Sequence, residues 1–166
     1  MNRWYAIQTK PRKERFALEN LERQGYRCYL PMARERRRLR GRYRWTDSAL
    51  FPRYLFAQLD LAQQNVAPIR STLGVIGLVR FGHQLPALPD RLIADIQARE
   101  DSQTGCIEVS PPDWAPGATV AVMEGPFRGI EGIFKARTGE ERVIVLLKLL
   151  GSERAIELPE QLITAC

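Results

Sequence analysis

Between Asp101 and Gly117 the chain reads "DSQTGCIEVSPPDWAPG", and no helical or strand period runs through it. Gly105, Pro111, Pro112 and Pro116 punctuate it. Proline and glycine at that density interrupt both helices and sheet ladders. The stretch therefore reads as a linker. It divides the 166 residues into two small units, residues 1–100 and 115–166, with a linker over 101–114.

In the first unit, "RWYAIQTK" (Arg3–Lys10) alternates and is rich in aromatic and β-branched residues, which predicts a strand. Pro11 then suits the first turn of a helix over "RKERFALENLERQG", with Phe16, Ala17, Leu18 and Leu21 as its apolar face and Gly25 as its C-cap. "YRCYLPM" predicts a second strand, and "RERRRLRGRYRW" (Arg34–Trp45), centred on Arg40-Gly41-Arg42, a basic hairpin or arm. "RYLFAQLD" and "GVIGLVRFG" predict two more strands, separated by a short helix broken near Pro68. "LPDRLIADIQARE" places Leu92, Ile93 and Ile96 on one helical face. The fold class is α+β, an open sheet flanked by helices.

The second unit alternates briefly at Val120 and Val122, then carries "GPFRGIEGIF" (Gly125–Phe134) and "ERVIVLLKLL". Short strands and glycine turns in about fifty residues suit a small β-barrel. However, "GEERVIVLLKLLG" is one continuous apolar run, equally compatible with a helix.

Charge is distributed unevenly. The net charge is +6 overall, yet residues 1–60 alone carry +9, from 15 Lys+Arg against six acids. That asymmetry points to a polyanion partner for the first third. No stretch approaches the length of apolar sequence needed to cross a bilayer, and "MNRWYAIQTK" lacks the apolar core of a secretory signal. Three scattered cysteines (Cys28, Cys106, Cys166) and one histidine (His83) make neither a disulfide framework nor a zinc site. The expectation is a reduced, cytoplasmic, monomeric protein that takes no metal or cofactor.

No catalytic constellation is legible. The glycines at 125, 129 and 132 lack the Gly-Lys-Ser/Thr of a phosphate loop, and the spacing is wrong for a dinucleotide fingerprint. They read as turn residues. His83 follows "VRFG" in a loop without a nucleophile or carboxylate neighbour. The chain is not expected to be an enzyme.

Three motifs in order, "WYAIQTKPRKE", "LFPRYLF" and "PGATVAVMEGPFRGIEGIF", resemble the NusG family of transcription elongation factors. The first unit resembles the family's NGN domain and the second its KOW domain. "LFPRYLFAQLD" and "GVIGLVRFG" look closer to the RfaH-type specialised paralogues than to housekeeping members. The resemblance implies docking on the clamp helices of RNA polymerase through an apolar pocket, which Tyr54 and Phe56 match, with Phe51, Pro52 and Phe81 close by. It also implies contact with the non-template DNA strand. Lys10 and Thr72 match DNA-contacting positions, and Arg12, Lys13, Arg15 and Arg70 join them on charge and location.

The chain departs from the RfaH-type pattern at Asn20, Leu73 and Asn65–Pro68. In that type the KOW region also forms a helical hairpin that masks the polymerase site, pinned by an arginine paired with an acid. Arg142 matches the arginine, but the partner position is Ser48, with Asp47 adjacent. The resemblance implies an operon-specific antitermination factor, whose KOW domain recruits the small ribosomal subunit or a termination factor. The alternatives are a general elongation factor or a KOW-type module that binds RNA or the ribosome.

Overall fold

A computed structural model describes residues 1–109, 133 and 138–151. The glycine turns at 125, 129 and 132 and most of the second unit lie outside the described residues.

The elements in chain order are β1 (Arg3–Thr9), α1 (Glu14–Arg23), β2 (Arg27–Tyr29), β3 (Met32–Leu39), β4 (Arg42–Ala49), β5 (Tyr54–Leu59), α2 (Ala67–Arg70), β6 (Val75–Leu78), β7 (Ala87–Leu88), α3 (Asp90–Ala98), β8 (Ile107–Val109) and α4 (Gly139–Leu150). The main sheet runs β2-β5-β1-β6, and β7 pairs with β1 beyond the end of β6. Every pairing in it is antiparallel. A second sheet runs β4-β3-β8, with β8 parallel to β3.

β5 occupies an interior position because its sequence, YLFAQL, is apolar on both faces. Leu55, Ala57 and Leu59 point to one side, where Ala17 and Leu21 of α1 and Ile69 of α2 cover them. Tyr54 and Phe56 point to the other. There they join Trp4, Ala6, the α3 residues Leu92, Ile93 and Ile96, and the α4 residues Val145, Leu146 and Leu150. The sheet is thus sandwiched between two helical layers.

Four expectations need correction. Pro11 lies in a turn ahead of α1, which starts at Glu14 with Lys13 as its N-cap, and not in the first turn of the helix. Phe16 is not part of the apolar face of α1; it is 43% exposed. Residues 17 and 21 are one turn apart, whereas residue 16 lies about a hundred degrees round the helix. Pro68 sits in the first turn of α2 instead of breaking it, a position where its missing N–H costs nothing.

The stretch read as a linker also begins as ordered structure. Asp101 Oδ1 accepts from the backbone of Gln103 and Thr104, Gly105 takes φ 69°, and Ile107 and Val109 are buried in β8. Three residues are too few for a period to show between glycine and proline.

The basic hairpin is as expected. Arg40 (φ 51°) and Gly41 (φ 78°) both lie at positive φ, as a two-residue turn of right-handed twist requires. The second unit differs from the barrel over Gly139–Leu150, which is a helix packed on the sheet.

Candidate functional site

The turn into β5 is Phe51-Pro52-Arg53-Tyr54, closed by Tyr54 N donating to Phe51 O at 3.0 Å. Pro52 presets the second position, and Arg53 takes the left-handed third position at φ 72°, where glycine is usual. The turn and the strand it opens present three aromatic rings to one face. Phe51 and Phe56 meet edge to face at 5.6 Å, both fully buried, and Tyr54 is 9% exposed. Burial raises the Tyr54 phenol above its ordinary value. Phe81 packs, half-buried, on the same cluster. Pro52 lies against the backbone of Gly139. The structure therefore brings Phe51, Pro52, Tyr54, Phe56 and Phe81 together, all beneath or beside α4.

α4 begins at Thr138, whose hydroxyl accepts from Glu141 N at 3.1 Å. Thr138-Gly139-Glu140-Glu141 is a capping-box sequence, and two acids in the first turn suit the positive end of the helix dipole. Lys148 sits in the last turn. This signal was available in the sequence and distinguishes helix from strand where the apolar run does not.

Arg142 is 2% exposed. Its Nε donates to Leu50 O at 2.7 Å, and its Nη2 lies 3.6 Å from Glu35 Oε1. The acid beside Arg142 is thus Glu35 on β3, not a residue at 47 or 48. Asp47 is engaged elsewhere, accepting from Arg34 Nε at 2.9 Å. That bond holds the Asp47 carboxyl below its ordinary value.

A second locus forms at the junction of β1 and α1. Thr9 N donates to Arg53 O and Lys10 N to Gly74 O, so three chain segments converge there. Lys10, Arg12, Lys13 and Arg15 are all exposed. Arg12 takes φ 62°, a conformation unusual for a side-chain-bearing residue. The Lys13 ammonium lies 5.5 Å from the Phe16 ring centroid. A Cβ on Gly74 would approach Phe16 Cδ1 to 3.1 Å, so Phe16 and the exposed Leu73 flank one spot. Exposed cations around an exposed ring suit phosphate contact and base stacking.

Arg70 is exposed at the end of α2. Thr72 differs from the rest: it is 6% exposed, its hydroxyl donating to Pro68 O at 2.9 Å and accepting from Gln24 Nε2 at 2.7 Å. It braces the loop from inside.

Among the described residues, no group of His, Cys, Asp and Glu is arranged to hold a metal ion, and no helix is long and apolar enough to cross a membrane. Burial, with the Glu22 charge adding to it, pushes the Cys28 thiol up to about 12, away from the thiolate a nucleophile needs. His83 is exposed in a turn beside Phe81 and Gln84.

The sequence was compared with known proteins. The family model "NusG: Transcription termination factor nusG" matches residues 2–97. A Staphylococcus aureus protein named "Transcription termination/antitermination protein NusG" is 25% identical over 173 aligned positions, covering 94% of this chain and 91% of its own. A Streptomyces galbus protein of the same name is 25% identical over 118 positions, covering 64% of this chain; the match spans only 38% of the Streptomyces protein. A solved structure described as "Domain interaction in Thermotoga maritima NusG" aligns with a TM-score of 0.44 at 22% identity, over 72% of this chain and 69% of that one. With the family model matching more than half its length, this chain belongs to the NusG family.

Proposed function

We propose that the chain is a transcription elongation and antitermination factor that docks on RNA polymerase through the Phe51–Tyr54–Phe56 face and is kept from doing so at rest by α4. The observation that carries this reading is the cover itself. Aromatic residues in a concave, desolvated cluster are the usual anchors of a protein interface, and here they lie under a helix supplied by the second unit. Displacing α4 uncovers Tyr54 and Phe56 together, on one face of one strand, for the clamp helices of the largest polymerase subunit.

The cations at the β1–α1 junction then hold the exposed non-template DNA strand through its phosphates. With its docking face covered until something releases it, the factor would act on a limited set of operons and not on every gene. The released residues 115–166 carry a net charge of −1. That favours a protein partner there, such as the small ribosomal subunit or a termination factor, over free RNA.

The test is retention on immobilised RNA polymerase of the wild type, Arg142→Ala and Arg142→Ala/Tyr54→Ala. Loosening α4 is expected to raise retention, and removing Tyr54 in that background to abolish it. Equal retention of the single and double variants would remove the assigned docking face. Occupancy spread evenly over the genome would favour a general elongation factor instead.

A further inference from the structure

The distal half of the β3–β4 ribbon has no role in the surfaces above. Its register pairs Arg36 with Trp45, Arg38 with Tyr43 and Arg34 with Asp47, so Arg36, Tyr43 and Trp45 share one face. Tyr43 is 60% exposed and Trp45 56% exposed. The Arg36 guanidinium lies 4.1 Å from the Tyr43 ring centroid. Arg40 is exposed at the turn next to these rings; Arg42 and Arg44, also exposed, alternate onto the opposite face of the ribbon. Among the described residues, β8 pairs with β3 only at residues 33–35, and no other strand pairs with the ribbon beyond that point.

Two aromatics two residues apart on one strand stand about 7 Å apart, facing the same way. Buried packing does not account for them, because more than half of each is open to water. Among the described residues, no carboxylate lies within ion-pair distance of Arg36, Arg40, Arg42 or Arg44. Asp47 on that face is already engaged by Arg34, and Glu108 of β8 is in register with the same arginine. Arginines interleaved with open ring faces make a platform that takes phosphate at its rim and bases on its rings. A duplex offers phosphates but no free base faces, and an acidic protein surface offers neither rings nor a regular anion spacing.

We propose that this face of the ribbon is a second nucleic-acid site, taking an unpaired strand with bases stacked on Trp45 and Tyr43. It shares with the proposed function only the class of ligand. It is separate from the Lys10–Lys13 end, and each is testable without the other.

The test is fluorescence anisotropy of full-length protein with labelled oligothymidylate, the matching duplex and an oligoglutamate peptide. Tyr43→Ala/Trp45→Ala is expected to weaken the single strand about tenfold or more, with the salt slope unchanged, because stacking and not phosphate contact is lost. Lys10→Gln/Lys13→Gln is expected to flatten the slope instead. Trp45→Phe should keep most of the affinity while losing the quenching of tryptophan emission by the oligonucleotide. Affinity unchanged in Tyr43→Ala/Trp45→Ala but lost in Lys10→Gln/Lys13→Gln would overturn the ribbon site and leave the proposed function standing. Tighter binding of the peptide or duplex than of the single strand would also overturn it. No oligonucleotide binding by the wild type would overturn both.

Discussion

The Gly139 backbone is pressed against the Pro52 ring: a methyl group placed on Gly139 would fall 2.4 Å from Cγ and 2.7 Å from Cδ of the proline. The proline ring has no flexible end to move aside. Gly139→Ala therefore sets two effects against each other. Alanine favours the helix by about 1 kcal/mol, while the overlap costs the docked arrangement about 1–3 kcal/mol. The expected net result is a weaker cover: a more helical isolated 138–151 peptide, yet more binding of an apolar dye by the full chain. A gain of helicity without increased dye binding would show that the contact relaxes freely.

Arg142 joins α4 to two other elements, through Leu50 O and Glu35. Arg142→Ala leaves a buried carbonyl without its donor and Glu35 without its cation, and should loosen the docked helix by about 2–4 kcal/mol. Glu35→Gln retains the Leu50 bond and should cost about 1 kcal/mol. Hydrogen exchange of the 139–150 amides reads both; the expected order of protection is wild type, then Glu35→Gln, then Arg142→Ala.

Much of the first unit was legible because its signals are local. Arg40-Gly41 dictated a two-residue turn, and Leu92, Ile93 and Ile96 recur at helical spacing. What escaped depends on distant partners. Thr72 looks like an available hydroxyl until Gln24, 48 residues away, reaches it. Glu35 is one charge among many until the fold sets it beside Arg142. The choice between barrel and helix at 139–150 was not open to periodicity, since the run is apolar throughout; the capping box at 138–141 was the local signal that decided it. At the candidate site, the aromatic set was found by resemblance, and its covering by α4 only by structure.

Arg53 occupies the glycine position of its turn at φ 72°. Its backbone N–H donates to Glu14 Oε1 at 2.9 Å and its carbonyl accepts from Thr9, bonds that any residue supplies. Relief of left-handed strain gains about 1–2 kcal/mol, offset in part by the greater freedom of glycine in the unfolded chain. Arg53→Gly should therefore raise stability by about 0.5–1 kcal/mol in thermal or urea unfolding. A lower midpoint would mean that the arginine side chain holds the turn.

Cys28 has a thiol pushed up to about 12 from an ordinary 9.0, by burial first and the nearby Glu22 second. Tyr29, next to it in β2, is raised by burial and by its hydrogen bond to Glu100. For groups whose folded values lie above their unfolded ones, the stabilisation is complete below the unfolded value and lost as pH rises towards the folded one. The fold should hold its stability up to about pH 9 and lose it progressively towards 12. Peptide-mapped alkylation at pH 8 should find Cys28 slow in the native protein and fast in urea. Rapid native labelling would contradict its burial.

The central claim is that residues 139–150 form a helix over the Tyr54 face in the free, full-length protein. Backbone chemical shifts for that segment test it most directly. Helical Cα and carbonyl shifts across Gly139–Leu150, moving towards random or strand values in Arg142→Ala, are the predicted result. Strand shifts over the same residues in the wild type would contradict it.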